Sequence, residues 1–154
     1  MHDRLPGMSG ELVLFLSAAV FATGLRAVME SGGLWLPLSG FGVTEAALLL
    51  AVMILLAALG IHAVITIAMA SAWLAPLQPE PTLLALVFVQ SWAIGLAAGP
   101  MSGIHLALQG RYGLPSSQLA RGNLRYCLQA YVVAVVWLAV VGSVLGAPLL
   151  PAWG

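Results

Sequence analysis

His62 and His105, each closing a Gly-Ile-His tripeptide, are the side chains best suited to chemistry in this sequence. Two such imidazoles could ligate a haem or a metal, relay protons, or simply be satisfied by a neighbouring carbonyl or hydroxyl. They lie in long uncharged stretches whose other polar members include Thr66, Gln90, Ser91, Ser102 and Gln109. A polar side chain in hydrocarbon costs free energy unless it is partnered, so these residues should face a bundle interior or a watery cavity. If a helix restarts after Pro100, then Ser102, His105 and Gln109 share one of its faces. Its first turn would present unpaired backbone N–H groups and a partial positive charge, suited to a carboxylate or similar anion. The plainer alternative is a proline kink with Ser102 capping the next turn.

Catalysis by hydrolysis or group transfer has no support. No serine within the long uncharged stretches has a charged residue beside it to orient it, and no glycine-rich loop ends in Lys-Ser or Lys-Thr. The protein is therefore not expected to be an enzyme, and no resident cofactor or metal is expected. The single Cys127 follows Tyr126 at the start of an apolar stretch and is expected to pack there; alone it excludes an internal disulfide.

The elements that must position these residues are set by where charge is missing. Of 154 residues, 62% are hydrophobic and 6% charged, with a mean hydropathy of +1.06. That composition excludes an ordinary soluble globule and points to an all-α integral membrane protein. With no lysine and a formal charge of zero, a nucleic-acid partner is excluded as well. Four to six membrane segments are expected, in one transmembrane domain. The first spans about residues 12–29 and the second 46–75, broken near 60–62. The third is 82–110, broken near 99–103, and the last 126–147. The apolar run of the first segment continues past any leader-cleavage site, so it is read as a span. The second and third each run to about 30 residues, or roughly 45 Å as straight helix, well beyond the 30 Å of a bilayer core. Gly60 and Gly99-Pro100-Met101-Ser102-Gly103 are where they should break or re-enter.

With four crossings, Arg26, Arg111, Arg121 and Arg125 gather on one side, expected to be cytoplasmic, against Arg4 alone on the other. Glu11, Glu30, Glu45 and Glu80 fall at span ends and are expected in solvent. Small residues at every fourth position, Ser91-Gly95-Gly99, Ala130-Ala134 and Gly142-Gly146, let helices approach closely within the chain or between chains. Trp35, Trp73, Tyr112, Tyr126 and Trp153 suit interfacial anchoring, and Trp92 and Trp137 packing. Arg121 and Arg125, flanking Asn123, are read as anchors for the last segment.

Leu59-Gly60-Ile61-His62-Ala63, followed by Gly99-Pro100-Met101-Ser102-Gly103-Ile104-His105-Leu106, resembles the C-terminal half of ion-transporter superfamily permeases. Among these are the large membrane subunit of tripartite periplasmic carboxylate transporters and related organic-anion carriers. The resemblance covers roughly residues 46–130. It implies a helix broken at Gly60, with His62 and Thr66 beside the break. It also implies a re-entrant hairpin tip at Gly99, Pro100, Ser102 and Gly103, near substrate and coupling ion, followed by His105 and Gln109. Ala63 replaces a proline common in the family, and Met101-Ser102 replaces a second proline with a small apolar residue. Those carriers are built from two inverted halves, and this sequence has the length of one.

The expectation is a half-transporter in the bacterial inner membrane, moving a small organic anion by Na⁺- or H⁺-coupled alternating access. Its partners would be the lipid bilayer and either a second half or further copies of itself. A second expectation is a non-catalytic membrane subunit that scaffolds a larger complex. A third is a haem- or quinone-linked electron carrier using His62 and His105.

Overall fold

The computed structural model describes residues 9–31 and 38–149, and among them every regular element is helical. The helices are α1 (Ser9–Glu30), α2 (Val43–Ala58), α3 (Ala63–Leu74), α4 (Pro81–Ala98), α5 (Gly103–Tyr112), α6 (Ser116–Gly122) and α7 (Leu124–Leu145). A single 3₁₀ turn, Ala75–Leu77, follows α3. Arg4, Trp35 and Trp153 lie outside the described residues, as do the side chains of Glu11, Arg26 and Glu30.

Each boundary has a local cause. α2 is a run of good helix formers that stops at Gly60, whose φ of +96° an L side chain rarely adopts. The Gly60 N–H is donated to Ala57 O at 2.9 Å and the Ile61 N–H to Leu56 O at 2.9 Å, the paired closure typical of a glycine-terminated helix. α4 starts with Pro81 in its first turn, where the missing N–H costs nothing, and Glu80 caps it. It ends because Pro100 disfavours helical backbone at the preceding residue, and Gly99 is extended, with φ −83° and ψ 121°. α7 closes at Gly146 as α2 does at Gly60.

Three helices, α2, α4 and α7, pack together, with Leu50, Leu83, Val87 and Leu138 wholly inaccessible between them. Tyr131 Oη donates to Ala47 O at 3.2 Å, tying α7 to α2. α2 and α4 run parallel: Ala57, near the end of α2, faces Gly95 and Gly99 at the end of α4. α7 runs the other way. Its last turn lies at the start of α2, where the Val43 N–H is donated to Pro148 O at 3.0 Å. α3 returns antiparallel to α2, since Trp73 and Leu74 share a cavity with Phe41 and Glu45. α1 lies along α3.

The second segment, expected to break near 60–62, does so as a hairpin that doubles back at Gly60. α2 and α3 have 16 and 12 residues, each short of the roughly 20 needed to cross a bilayer core. Two consequences correct the sequence expectations. α2 and α4 begin at the same end of the bundle, so the four-crossing parity that gathered Arg26 with Arg111, Arg121 and Arg125 does not hold. The doubling-back and the simple break also exchange places: the chain reverses at Gly60, whereas α5 leads away from α4 after Gly99–Ser102 and pairs with α6. Two helical stretches are long and apolar enough to cross a membrane, Pro81–Tyr112 taken through its break and Leu124–Leu145. The latter buries little of itself, with Leu128, Val132, Val133, Val136, Val140 and Val144 all exposed.

Candidate functional site

The tip of the α2–α3 hairpin meets the α4–α5 break. Gly60, Ile61, His62 and Ala63 from the tip, and Gly99, Met101 and Ser102 from the break, line one cavity of about 30 Å³ together with Ala57, Trp92, Gly95 and Leu96. Glycine makes the approach possible. A Cβ on Gly99 would sit 3.1 Å from Ala57 O and 3.0 Å from Gly95 O, both backbone atoms that cannot swing aside. The Ser91-Gly95-Gly99 stripe is thus the seam between α4 and α2. The space suits one water molecule or one small ion stripped of its hydration shell.

His62 and Ser102 are the polar side chains of this cavity. His62 precedes α3 and accepts the Val64 N–H on Nδ1 at 3.3 Å, so a neutral ring carries its proton on Nε2. The ring stands edge-on to Trp92, with centroids 6.4 Å apart and planes at 82°. Ser102 opens α5: its Oγ accepts the His105 N–H at 3.4 Å, and its own N–H is donated to Gly99 O at 3.1 Å.

His105 is 4% exposed and uses both ring nitrogens. Nδ1 lies 2.8 Å from Gly99 O, and since a carbonyl only accepts, Nδ1 carries the proton. Nε2 is then an acceptor and receives the Asn123 Nδ2 amide at 3.3 Å. The same amide donates to Ala97 O at 3.3 Å. His105 therefore clasps the frayed end of α4 to the start of α7 and leaves no lone pair for a metal or haem iron. Among the described residues, no group of three or more His, Cys, Asp or Glu side chains is placed to hold a metal ion.

The remaining expected site residues are placed elsewhere. Pro100, Gly103 and His105 flank the cavity without lining it. Thr66 is buried but returns its hydroxyl to Ala63 O at 3.0 Å within its own helix. Gln109 is exposed and accepts the Ser116 N–H at 3.0 Å, which closes the α5–α6 turn, and it does not line the cavity. Asn123, given no role in the sequence beyond lying between Arg121 and Arg125, is a member of the site. Its signal in the sequence was an amide at a helix junction, which is ordinary on its own. Trp137 is 53% exposed rather than packed.

One acidic residue also departs from expectation, and a second caps a helix start. Glu45 is buried, with Oε2 accepting the Gly42 N–H at 2.8 Å at the start of α2. Glu80 accepts the Leu83 N–H at 2.6 Å, and this bond holds its carboxyl below the usual carboxylate range. Gly142, expected to let helices approach closely, does so within the chain: a Cβ there would overlap Val43 Cγ2. Neither family models, curated proteins nor solved structures match this chain.

Proposed function

We propose that this chain is an integral membrane protein forming one half of an ion-coupled carrier for a small organic anion. The observation that carries the proposal is the meeting of a doubled-back hairpin tip and a helix break around one small cavity. Non-helical backbone inside a bilayer is tolerated only where protein or a watery site satisfies it, and carriers place such breaks at their substrate and ion sites. Membrane residence is supported by α7, whose outward face is a continuous apolar surface. In this reading the cavity of about 30 Å³ takes the coupling ion or a water. The anion, which is larger, enters only when the hairpin tip withdraws from Gly99 or a second half completes the wall. The His105–Asn123 clasp holds the break in its closed form.

The test is uptake of radiolabelled dicarboxylates into liposomes containing the purified chain, alone and with proteins encoded beside it, with and without imposed Na⁺ and H⁺ gradients. Gradient-dependent uptake that falls in Ser102→Ala is expected. Absence of uptake from every combination would defeat the proposal. The exposed apolar face of α7 also favours a second reading, a membrane subunit that scaffolds a larger complex; there Ser102→Ala would leave assembly untouched.

A further inference from the structure

Between α4 and α7 runs a groove of about 550 Å³ that shares no lining residue with the hairpin-tip cavity. Its walls are mostly apolar, and two glutamines interrupt them, Gln90 from α4 and Gln129 from α7. Gln90 Oε1 is the one buried side-chain oxygen or nitrogen left without a hydrogen-bond partner among the described residues. Such an atom carries the full desolvation cost of the group, so its presence in a folded chain calls for a donor from elsewhere. Gln129 is exposed on a helix apolar enough to cross a membrane, and in a bilayer its amide needs a partner too. The two glutamines stand at one level. Asn123 donates to Ala97 O; Gln90 lies about two turns before Ala97, and Gln129 about two turns after Asn123 in the antiparallel neighbour. Ala93 and Ala130, beside them in the groove, carry only a methyl group.

We infer that this groove is the contact face of a parallel homodimer, in which a second copy of the chain seats its own α4–α7 face. Two copies inserted the same way round are related by a two-fold axis along the bilayer normal, and that axis keeps every residue at its depth. A two-fold contact must be self-complementary, and this face is. Gln90 of each copy comes level with the partner's Gln129, whose amide N–H supplies the donor that Oε1 lacks, and the bond is made twice. The Gln90 amide turns about its terminal bond to present the oxygen. Ala93 and Ala130 let the backbones approach, as small residues do between helices in lipid. A lipid chain could fill the groove but offers no donor, so the unpartnered oxygen selects a second copy over lipid. The inference rests on the membrane part of the proposed function and not on transport. The face lies apart from Gly60 and from Gly99–Ser102, and a dimer that takes up nothing leaves it standing.

The experiment is disulfide trapping between full chains in liposomes, with Cys127→Ser in every copy so that only introduced thiols can bridge. Size-tagged copies carrying Gln90→Cys, mixed with untagged copies carrying Gln129→Cys, should give a heterodimer on mild oxidation. Mixed instead with Val144→Cys, which is also exposed but lies about four turns farther along α7, they should not. Resonance energy transfer between donor- and acceptor-labelled chains, followed as they are diluted in lipid, then gives the dimer dissociation constant. Gln90→Leu removes both symmetric hydrogen bonds and an unpartnered amide, so the monomer keeps its fold while the dissociation constant rises about tenfold. Ala93→Leu, at an exposed position in the groove, should abolish energy transfer by bulk alone. Wild-type chains that are monomeric at every dilution, their groove left to lipid or to another protein's helix, would overturn the inference. Equal bridging to Val144→Cys, or a Gln90→Leu dimer as tight as wild type, would do the same.

Discussion

Truncating Asn123 tests the clasp directly. Its Nδ2 amide serves two acceptors, Ala97 O and His105 Nε2, each at 3.3 Å. A neutral hydrogen bond contributes about 0.5–1.5 kcal/mol net, and 3.3 Å is long for N–H···O, so each belongs in the lower part of that range. Asn123→Ala should therefore destabilise the fold by roughly 1–2 kcal/mol. His105→Ala removes the bond to Gly99 O as well and opens space at a 4% exposed position, so it should cost more, about 3 kcal/mol. The two variants share one bond. Their double-mutant cycle should return a coupling of about 0.5–1 kcal/mol. Asn123→Asp keeps the shape but exchanges the donor for an acceptor facing two acceptors, and should be worse than Asn123→Ala. The assay is reversible unfolding in mixed detergent micelles followed by circular dichroism. Additive single effects, or an Asp variant as stable as wild type, would refute the assigned tautomer and the clasp with it.

Two further outcomes follow from the geometry. Gly142→Ala should destabilise the isolated chain by about 1–3 kcal/mol, because the added methyl overlaps Val43 at the start of α2. Unchanged unfolding with altered oligomer size on a sizing column would instead return Gly142 to an association face. Glu80 has a lower pKa folded than unfolded, so its contribution is present above the ordinary carboxyl value of 4.5 and lost as pH falls through the folded value. The thermal midpoint should drop below that pH in wild type and drop less in Glu80→Gln, as a pH series of melting curves would reveal.

The spacing of ten charges along the chain was enough to locate the apolar segments, and glycine and proline were enough to locate their ends. Gly60 and Gly99-Pro100 act through their own backbone preferences, which are local properties and therefore legible in one dimension. Ser102 as the cap of a restarted helix was legible for the same reason. Direction was not. A glycine that ends a helix permits the chain to continue or to reverse, and reversal at Gly60 was decided by the packing of α2 on α4. There Ala57 meets Gly95 and Gly99, while α3 lies along α1. Site membership was likewise a tertiary matter. Ser102 and Gln109 belong to one short stretch, but only Ser102 reaches the cavity, and Asn123 joins through contacts to residues far away in the chain. Glu45 looked like a solvated span end because burial of a carboxylate depends on what neighbouring helices bring over it. Composition and local stereochemistry thus determined which residues form helices and where those helices stop. Which ends meet, and hence which polar atoms are left facing a cavity, came from long-range packing.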